Sequence, residues 1–94
     1  MDRYKRKEGH GNGHYVVEAV QLSKENVREV AEWCTGKEVE EIDALDSTKR
    51  YVGLNLLTFQ GMARASEGDY IAKDNLGDFH IRWAENFTQN FEKE

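Results

Sequence analysis

The sequence predicts a small α+β domain: one helix packed on a small, mainly antiparallel sheet, with a short C-terminal helical segment. Three observations support this prediction. One segment repeats its apolar residues with a helical period, several segments have the composition or alternation of strands, and short turn signals separate the later strands. The length of 94 residues is enough for a single domain, residues 1–94, with a small core.

The first two predicted elements are a strand and a helix. Residues 14–22 (HYVVEAVQL) are rich in valine and predict a strand. In the following segment, apolar residues recur at i, i+3, i+4 and i+7 and therefore share one helical face. These residues are Val27, Val30, Ala31 and Cys34. Ser23 is the expected N-cap, and Gly36 is the expected C-terminal stop.

The middle of the chain changes from an acidic segment to a strand. Residues 37–49 have few apolar residues, and their spacing fits either a short helical turn or an irregular connection. Residues 50–59 have apolar side chains on both faces, which is typical of a central strand. The pair Gln60-Gly61 predicts a tight turn that brings residues 62–66 back antiparallel.

The last third predicts two short strands and a helical segment. Residues 70–73 and 79–83 are the strands, and the turn 74–78 joins them. The second strand alternates apolar and polar residues, as a half-buried strand does. Phe87 and Phe91 lie four residues apart, which predicts a short helix docked on the sheet.

Composition excludes several classes of function. The formal net charge of −5 argues against direct nucleic-acid binding through a basic surface. No apolar run is long enough to span a membrane. The single cysteine, Cys34, cannot form an internal disulfide, which fits a reducing compartment. Residues 1–13 are basic and glycine-rich, and we expect them to form a flexible head.

The sequence predicts neither a metal site nor an enzyme. His10 and His14 flank Gly-Asn-Gly, but a zinc site needs three or four ligands. Cys34 lies on the expected core face of the helix, so a buried structural thiol is expected. Acidic residues in the turns, Asp69 and Asp78, are expected to cap their own backbone. No catalytic residues, metal or cofactor are therefore predicted.

Two sets of residues are candidates for binding. The first could contact a nucleotide-like ligand through aromatic and basic side chains: Tyr70, His80, Arg82 and Trp83. The second could dock on a basic protein or imitate nucleic-acid phosphates: Glu38, Glu40, Glu41 and Asp43. The alternative for the acidic set is a solvated face. For Trp33 and Trp83, the simplest expectation is a place in the core or at its edge.

The C-terminal third resembles a widespread group of small, uncharacterised bacteriophage and prophage proteins, many from phages of actinobacteria and firmicutes. The shared features are Gly-Asp-Tyr-Ile at 68–71, Gly-Asp-Phe at 77–79, and two spaced aromatics, Phe87 and Phe91. The N-terminal part is similar through YKRK and VEAVQ. Two differences are the absence of a Tyr-Pro-Cys-Lys-Pro-Asp-Ile-Phe stretch and the presence of EGHGNGH, which resembles an insertion.

The resemblance implies a non-enzymatic bacteriophage accessory protein that acts in the host cytoplasm by binding a host or phage protein. One alternative is a small domain that binds a nucleotide-like ligand, and another is an acidic inhibitor that mimics DNA. One helix is too small to cover every apolar side chain of the sheet, which predicts a tendency to form a homodimer. The side chains concerned are Tyr51, Leu57, Phe59 and Met62.

Overall fold

Eight strands and two helices are present in the part of the chain that the computed structural model describes, residues 1–7 and 16–94. The expected α+β class is therefore observed. The predicted loop with His10 and His14 lies outside the described residues. The elements are β1 (Asp2–Arg6), β2 (Val16–Gln21), α1 (Val27–Cys34), β3 (Lys37–Ile42), β4 (Arg50–Thr58), β5 (Gly61–Ser66), β6 (Tyr70–Lys73), β7 (Phe79–Arg82), α2 (Ala84–Asn90) and β8 (Phe91–Lys93).

The strands form two antiparallel sheets instead of the single sheet that the sequence predicts. The five-stranded sheet has the order β7-β6-β2-β1-β8, and the three-stranded sheet has the order β3-β4-β5. The central position predicted for residues 50–59 is confirmed, because β4 pairs with both β3 and β5. The simple picture of one helix on one sheet is only roughly matched, because the single expected sheet is divided into two.

Two hydrophobic cores lie on opposite faces of the five-stranded sheet. The larger core joins α1 to both sheets through residues such as Leu22, Leu54 and Ile71. The smaller core lies under α2 and consists of Val17, Ala19, Ala72 and Phe87. Successive side chains of a strand point to opposite faces, so β2 can contribute to both cores. The five-stranded sheet is therefore covered on both sides.

Helix α1 buries the predicted face, but both of its ends differ from expectation. The predicted N-cap, Ser23, is wrong: the helix begins after Asn26. The Asn26 side chain accepts a 2.8 Å hydrogen bond from the Ser23 backbone N–H and donates one of 2.8 Å to the Gln21 carbonyl. At the other end, Thr35 rather than Gly36 has the left-handed conformation, with φ 53°.

Gly36 is required for close packing instead. A Cβ atom at this position would lie 2.9 Å from the Asn55 carbonyl oxygen and 3.0 Å from Cys34 Sγ. The absence of a side chain therefore allows the chain that leaves α1 to run directly against β4. This role comes from a tertiary contact and leaves no local signal in the sequence.

Three strands were not predicted, and all three are polar. Residues 2–6, expected within the flexible head, form β1 between β2 and β8. Residues 37–42, expected as a helical turn or an irregular connection, form the edge strand β3. After α2 the chain adds β8, which pairs with β1. The sequences of these strands lack the alternation of apolar and polar residues that would predict them. Each segment is a strand because it hydrogen-bonds to a neighbouring strand.

The predicted turns between the later strands are confirmed. Gly61 has a φ of 110° and Gly68 a φ of 96°, conformations that favour glycine. Asp69 Oδ2 accepts a 2.9 Å hydrogen bond from the Ser66 N–H, as expected for a carboxylate that caps its own turn. In the next turn Asp74, rather than Asp78, has this role, because its Oδ1 accepts from the N–H groups of residues 76 and 78.

Candidate functional sites

A cleft of about 350 Å³ lies between α2 and the sheet face that this helix covers. Its position follows from the alternation of β7. Phe79 and Ile81 pack against the larger core, so His80 and Arg82 project from the opposite face, toward α2. The polar lining consists of Arg6, His80, Arg82, Asn86 and Asn90. The apolar lining consists of Val17, Ala72, Phe87 and Phe91.

Four aromatic rings pack together next to this cleft. Phe87 stacks on Tyr70 with ring centres 4.3 Å apart, and on Phe91 with centres 4.8 Å apart. The Tyr4 ring meets Phe87 edge-on at 5.0 Å. Burial, followed by the neighbouring Tyr70, raises the pKa of Tyr4, so this phenol stays neutral at physiological pH. The predicted contact residue Tyr70 is thus part of the packing and is not among the residues that line the cleft.

His80 is held from two sides. Its Nε2 lies 2.7 Å from Asp74 Oδ2, and its ring centre lies 4.4 Å from that of Phe59. The hydrogen bond from His80 is the main cause that lowers the pKa of Asp74. The His80 Nδ1 atom is buried, and no residue of the described ranges hydrogen-bonds to it. The pair fixes the β6–β7 turn beside the cleft.

The two tryptophans have different environments. Trp33 is half-buried and meets Phe79 edge-on, with ring centres 5.1 Å apart, which confirms its expected place at the edge of the core. Trp83 is 77% exposed, so its expected place in the core or at its edge is wrong. It occupies the N-cap position of α2, where β7 has already ended. Of the four predicted ligand contacts, the structure places only His80 and Arg82 in the cleft.

The acidic candidates do not share one face, because successive side chains of β3 point to opposite sides of the sheet. Glu40 forms a 3.0 Å ion pair with Arg50, whereas Glu41 projects from the opposite face and accepts a 3.3 Å hydrogen bond from the Ser66 hydroxyl. Asp43 Oδ1 accepts from the backbone N–H of Leu45 at 2.8 Å. Glu38 is exposed near Glu40. The four carboxylates therefore do not form one row, as the phosphates of a nucleic acid do.

An exposed apolar surface lies at the end of the β4–β5 hairpin. Leu57 and Met62 are directly paired across the two strands and are 62% and 70% exposed. Phe59 follows in the turn and is 53% exposed. We call Leu57, Phe59 and Met62 the hairpin patch. It belongs to the outer side of the three-stranded sheet, the side opposite Leu54 and Leu56.

Sequence reasoning missed three polar residues of the cleft: Arg6, Asn86 and Asn90. Arg6 was assigned to the flexible head, and only its pairing in β1 brings it to the cleft. Asn86 and Asn90 are four residues apart, the same spacing as Phe87 and Phe91, and this shared spacing is the one local signal for them.

Neither a metal centre nor a reactive thiol is found within residues 1–7 and 16–94. No group of three or more potential metal ligands occurs in these ranges. Cys34 is buried, and burial raises the pKa of its thiol, which disfavours the nucleophilic thiolate. In the same ranges, neither helix has the length and apolar character needed to cross a membrane.

Comparisons of the chain with protein families, with curated proteins and with solved structures find no match.

Proposed function

We propose that the chain is a non-enzymatic interaction protein and that the hairpin patch is its docking surface for a partner protein. The observation that supports this proposal is the exposure of two directly paired apolar side chains, Leu57 and Met62, next to the turn of the β4–β5 hairpin on the outer face of the three-stranded sheet. Isolated exposed apolar residues are common, but adjacent ones on an open face are typical of interaction surfaces.

The charge beside the hairpin patch suggests the chemistry of the partner. Arg64 lies two residues after Met62 on the same face of β5, and its Nε donates a 3.0 Å hydrogen bond to the Asn55 side chain. Among the described residues, no carboxylate forms an ion pair with Arg64. A complementary partner therefore presents an apolar ridge with a carboxylate at its side.

The resemblance to phage proteins supports the proposal that the partner is a host or phage protein and that the contact forms in the host cytoplasm. The resemblance is the only support for this part of the proposal. The hairpin patch by itself supports only the binding of a protein with an apolar surface.

Site-specific photo-crosslinking tests the proposal. A photoreactive residue replaces Met62 in one variant and Thr88, an exposed residue of α2, in the control variant. In lysate, we expect one partner to be crosslinked from position 62 and not from position 88. Excess parent protein should suppress this crosslink, and Leu57→Lys protein should not. Equal crosslinking from both positions, or equal suppression by both competitors, contradicts the proposal.

The predicted homodimer is the competing occupant of the same surface. Analytical ultracentrifugation of the parent and of Leu57→Lys separates the two alternatives. If crosslinks from position 62 join only copies of this chain, and Leu57→Lys abolishes a dimer of the parent, the surface is a self-association site and the proposal is overturned. A parent that remains monomeric while the partner crosslink persists supports the proposal and removes the homodimer prediction.

A further inference from the structure

We propose that the cleft beneath α2 binds a small organic molecule that carries a phosphate group. The proposal does not rest on the docking function, because different side chains support it; the cleft and the hairpin patch adjoin where Phe59 contacts His80. Three properties of the cleft support it: the charge of its lining, the type of its polar groups, and its size.

The cleft is cationic in an acidic protein. Two arginines and no carboxylates are among its lining residues, whereas the whole chain has a formal net charge of −5. Within residues 1–7 and 16–94, the Arg82 side chain donates only to the neighbouring Ile81 carbonyl, at 3.3 Å, and forms no ion pair with a carboxylate. Elsewhere on the same sheet, Arg3 pairs with Glu94 at 2.9 Å. The local charge therefore favours an anion.

The polar groups of the lining match a phosphate. A guanidinium presents parallel N–H donors that bind two oxygens of one phosphate, and this geometry makes the bond stronger than a single neutral hydrogen bond. Arg82 can provide these donors from β7, and the Asn86 side-chain amide can provide another from α2. Arg6 adds positive charge from β1, where its guanidinium carbon lies 5.8 Å from the Phe91 ring centre.

The size and the apolar lining indicate an organic group attached to the phosphate. A volume of about 350 Å³ is near the lower end of the range of small-molecule sites, about 300–1,000 Å³. The half-buried ring of Phe91, which is part of the lining, offers an apolar surface that inorganic phosphate cannot use. A phosphomonoester with a small planar or apolar group therefore fits better than free phosphate.

Nuclear magnetic resonance titration of the full chain tests this site with three probes: inorganic phosphate, adenosine 5′-monophosphate and the uncharged nucleoside adenosine. We expect saturable shifts at residues 80–90 with the monophosphate, weaker binding of phosphate, and no saturable shift with adenosine. Saturation by adenosine alone, or no saturable shift with any probe up to about 10 mM, overturns the proposal.

Two matched pairs of variants locate the site. Arg82→Gln should weaken monophosphate binding by about tenfold or more, because it removes a charged donor, whereas Arg64→Gln on the other sheet should change it less than about twofold. Both arginines are exposed and lack ion pairs within the described residues, so both variants should fold.

The second pair places a new negative charge on α2. Asn86→Asp puts a carboxylate in the cleft, while Gln89→Glu puts one on an exposed position of the same helix outside the cleft. Repulsion of the phosphate should weaken binding about tenfold for Asn86→Asp and less than about twofold for Gln89→Glu. If the two variants of either pair change monophosphate binding equally, the monophosphate is attracted non-specifically to the protein surface, and the proposal is overturned.

Discussion

The two sheets differ in how many of their faces are covered. The five-stranded sheet has the larger core on one face and α2 on the other, and Phe87 beneath that helix is only 1% exposed. Among the described residues, the three-stranded sheet has a core on its inner face alone, and Leu57 and Met62 remain exposed on its outer face. Apolar character alone does not bury a side chain. An apolar side chain on a sheet becomes part of a core only where a helix or a second sheet packs against that face; otherwise it stays exposed.

The largest expected effect tests this difference directly. Phe87→Ala should lower the free energy of unfolding by about 3–5 kcal/mol, because it removes a buried ring that stacks on Tyr70 and Phe91. Leu57→Ala, on the uncovered face, should change it by less than about 0.5 kcal/mol. Urea denaturation followed by circular dichroism measures both values. Similar losses for the two variants would show that the outer face is covered in solution.

Two glycines, one within β4 and one packed against it, extend the comparison to the faces of the three-stranded sheet. Gly36→Ala should cost about 1–3 kcal/mol, because the new Cβ would lie 2.9 Å from the Asn55 carbonyl oxygen of the backbone. For Gly53→Ala, the closest atoms belong to the side chains of Val39 and Glu41, at 3.0 and 3.1 Å. These two side chains face the open side and can shift, and the backbone carbonyl oxygen of Ala65 lies farther away, at 3.3 Å, so the cost should be smaller than that of Gly36→Ala, at about 1 kcal/mol. A larger cost for Gly53→Ala in the same denaturation assay would contradict this reasoning.

A smaller and opposite effect is expected at the end of α1, the helix that covers only the inner face. Thr35 has a left-handed backbone, which is strained for a β-branched residue. Thr35→Gly should therefore raise the free energy of unfolding by up to about 1 kcal/mol, and Thr35→Asn should raise it less. Thermal denaturation of the three proteins should rank glycine first, asparagine second and threonine last. Any loss of stability in the glycine variant would show that Thr35 makes a compensating contact.

The smallest effect concerns the Asp74–His80 pair beside the cleft. The His80 hydrogen bond lowers the folded-state pKa of Asp74 below its ordinary value of 3.8. The ionised carboxylate therefore stabilises the fold above pH 3.8, and this contribution is lost as the pH falls below that value toward the folded pKa. Asp74→Asn keeps an acceptor for the turn but loses the charge.

The melting temperatures of the parent and Asp74→Asn should consequently differ most above pH 3.8 and converge as the pH falls below that value toward the folded-state pKa of Asp74. Asp78→Asn is the control from the same turn, because no side-chain hydrogen bond of Asp78 occurs in the described part of the chain. A constant difference between the parent and Asp74→Asn across the pH range would contradict the role of the Asp74 charge.

Elements with their own apolar pattern could be predicted from the sequence. The buried face of α1 follows from Val27, Val30, Ala31 and Cys34, and the central place of β4 follows from its two apolar faces. The helical segment around Phe87 is confirmed as well. These elements carry their signal within a few residues, so a single sequence is enough to find them.

The remaining features depend on partners that are distant in the sequence. The acidic strand β3 has no apolar alternation strong enough to predict it, and it is a strand because β4 offers it an edge. For the same reason only His80 and Arg82 of the cleft were predicted. Arg6 comes to the cleft through the pairing of β1 with β2, and the exposed position of Trp83 depends on where β7 ends. Local patterns cannot specify such pairings.

The pairing of β1 with β8 has a consequence for the kinetics of folding. In this ladder Tyr4 lies opposite Lys93. The pairing of β1 with β8 therefore brings together residues that are very far apart in the sequence. Contacts of such large sequence separation have a high loop-closure cost and slow the folding of a small domain. On the ribosome, the five-stranded sheet cannot reach its full width until residue 93 has been synthesised. Until then β1 has one unpaired edge, and an exposed strand edge of this kind favours aggregation of the growing chain.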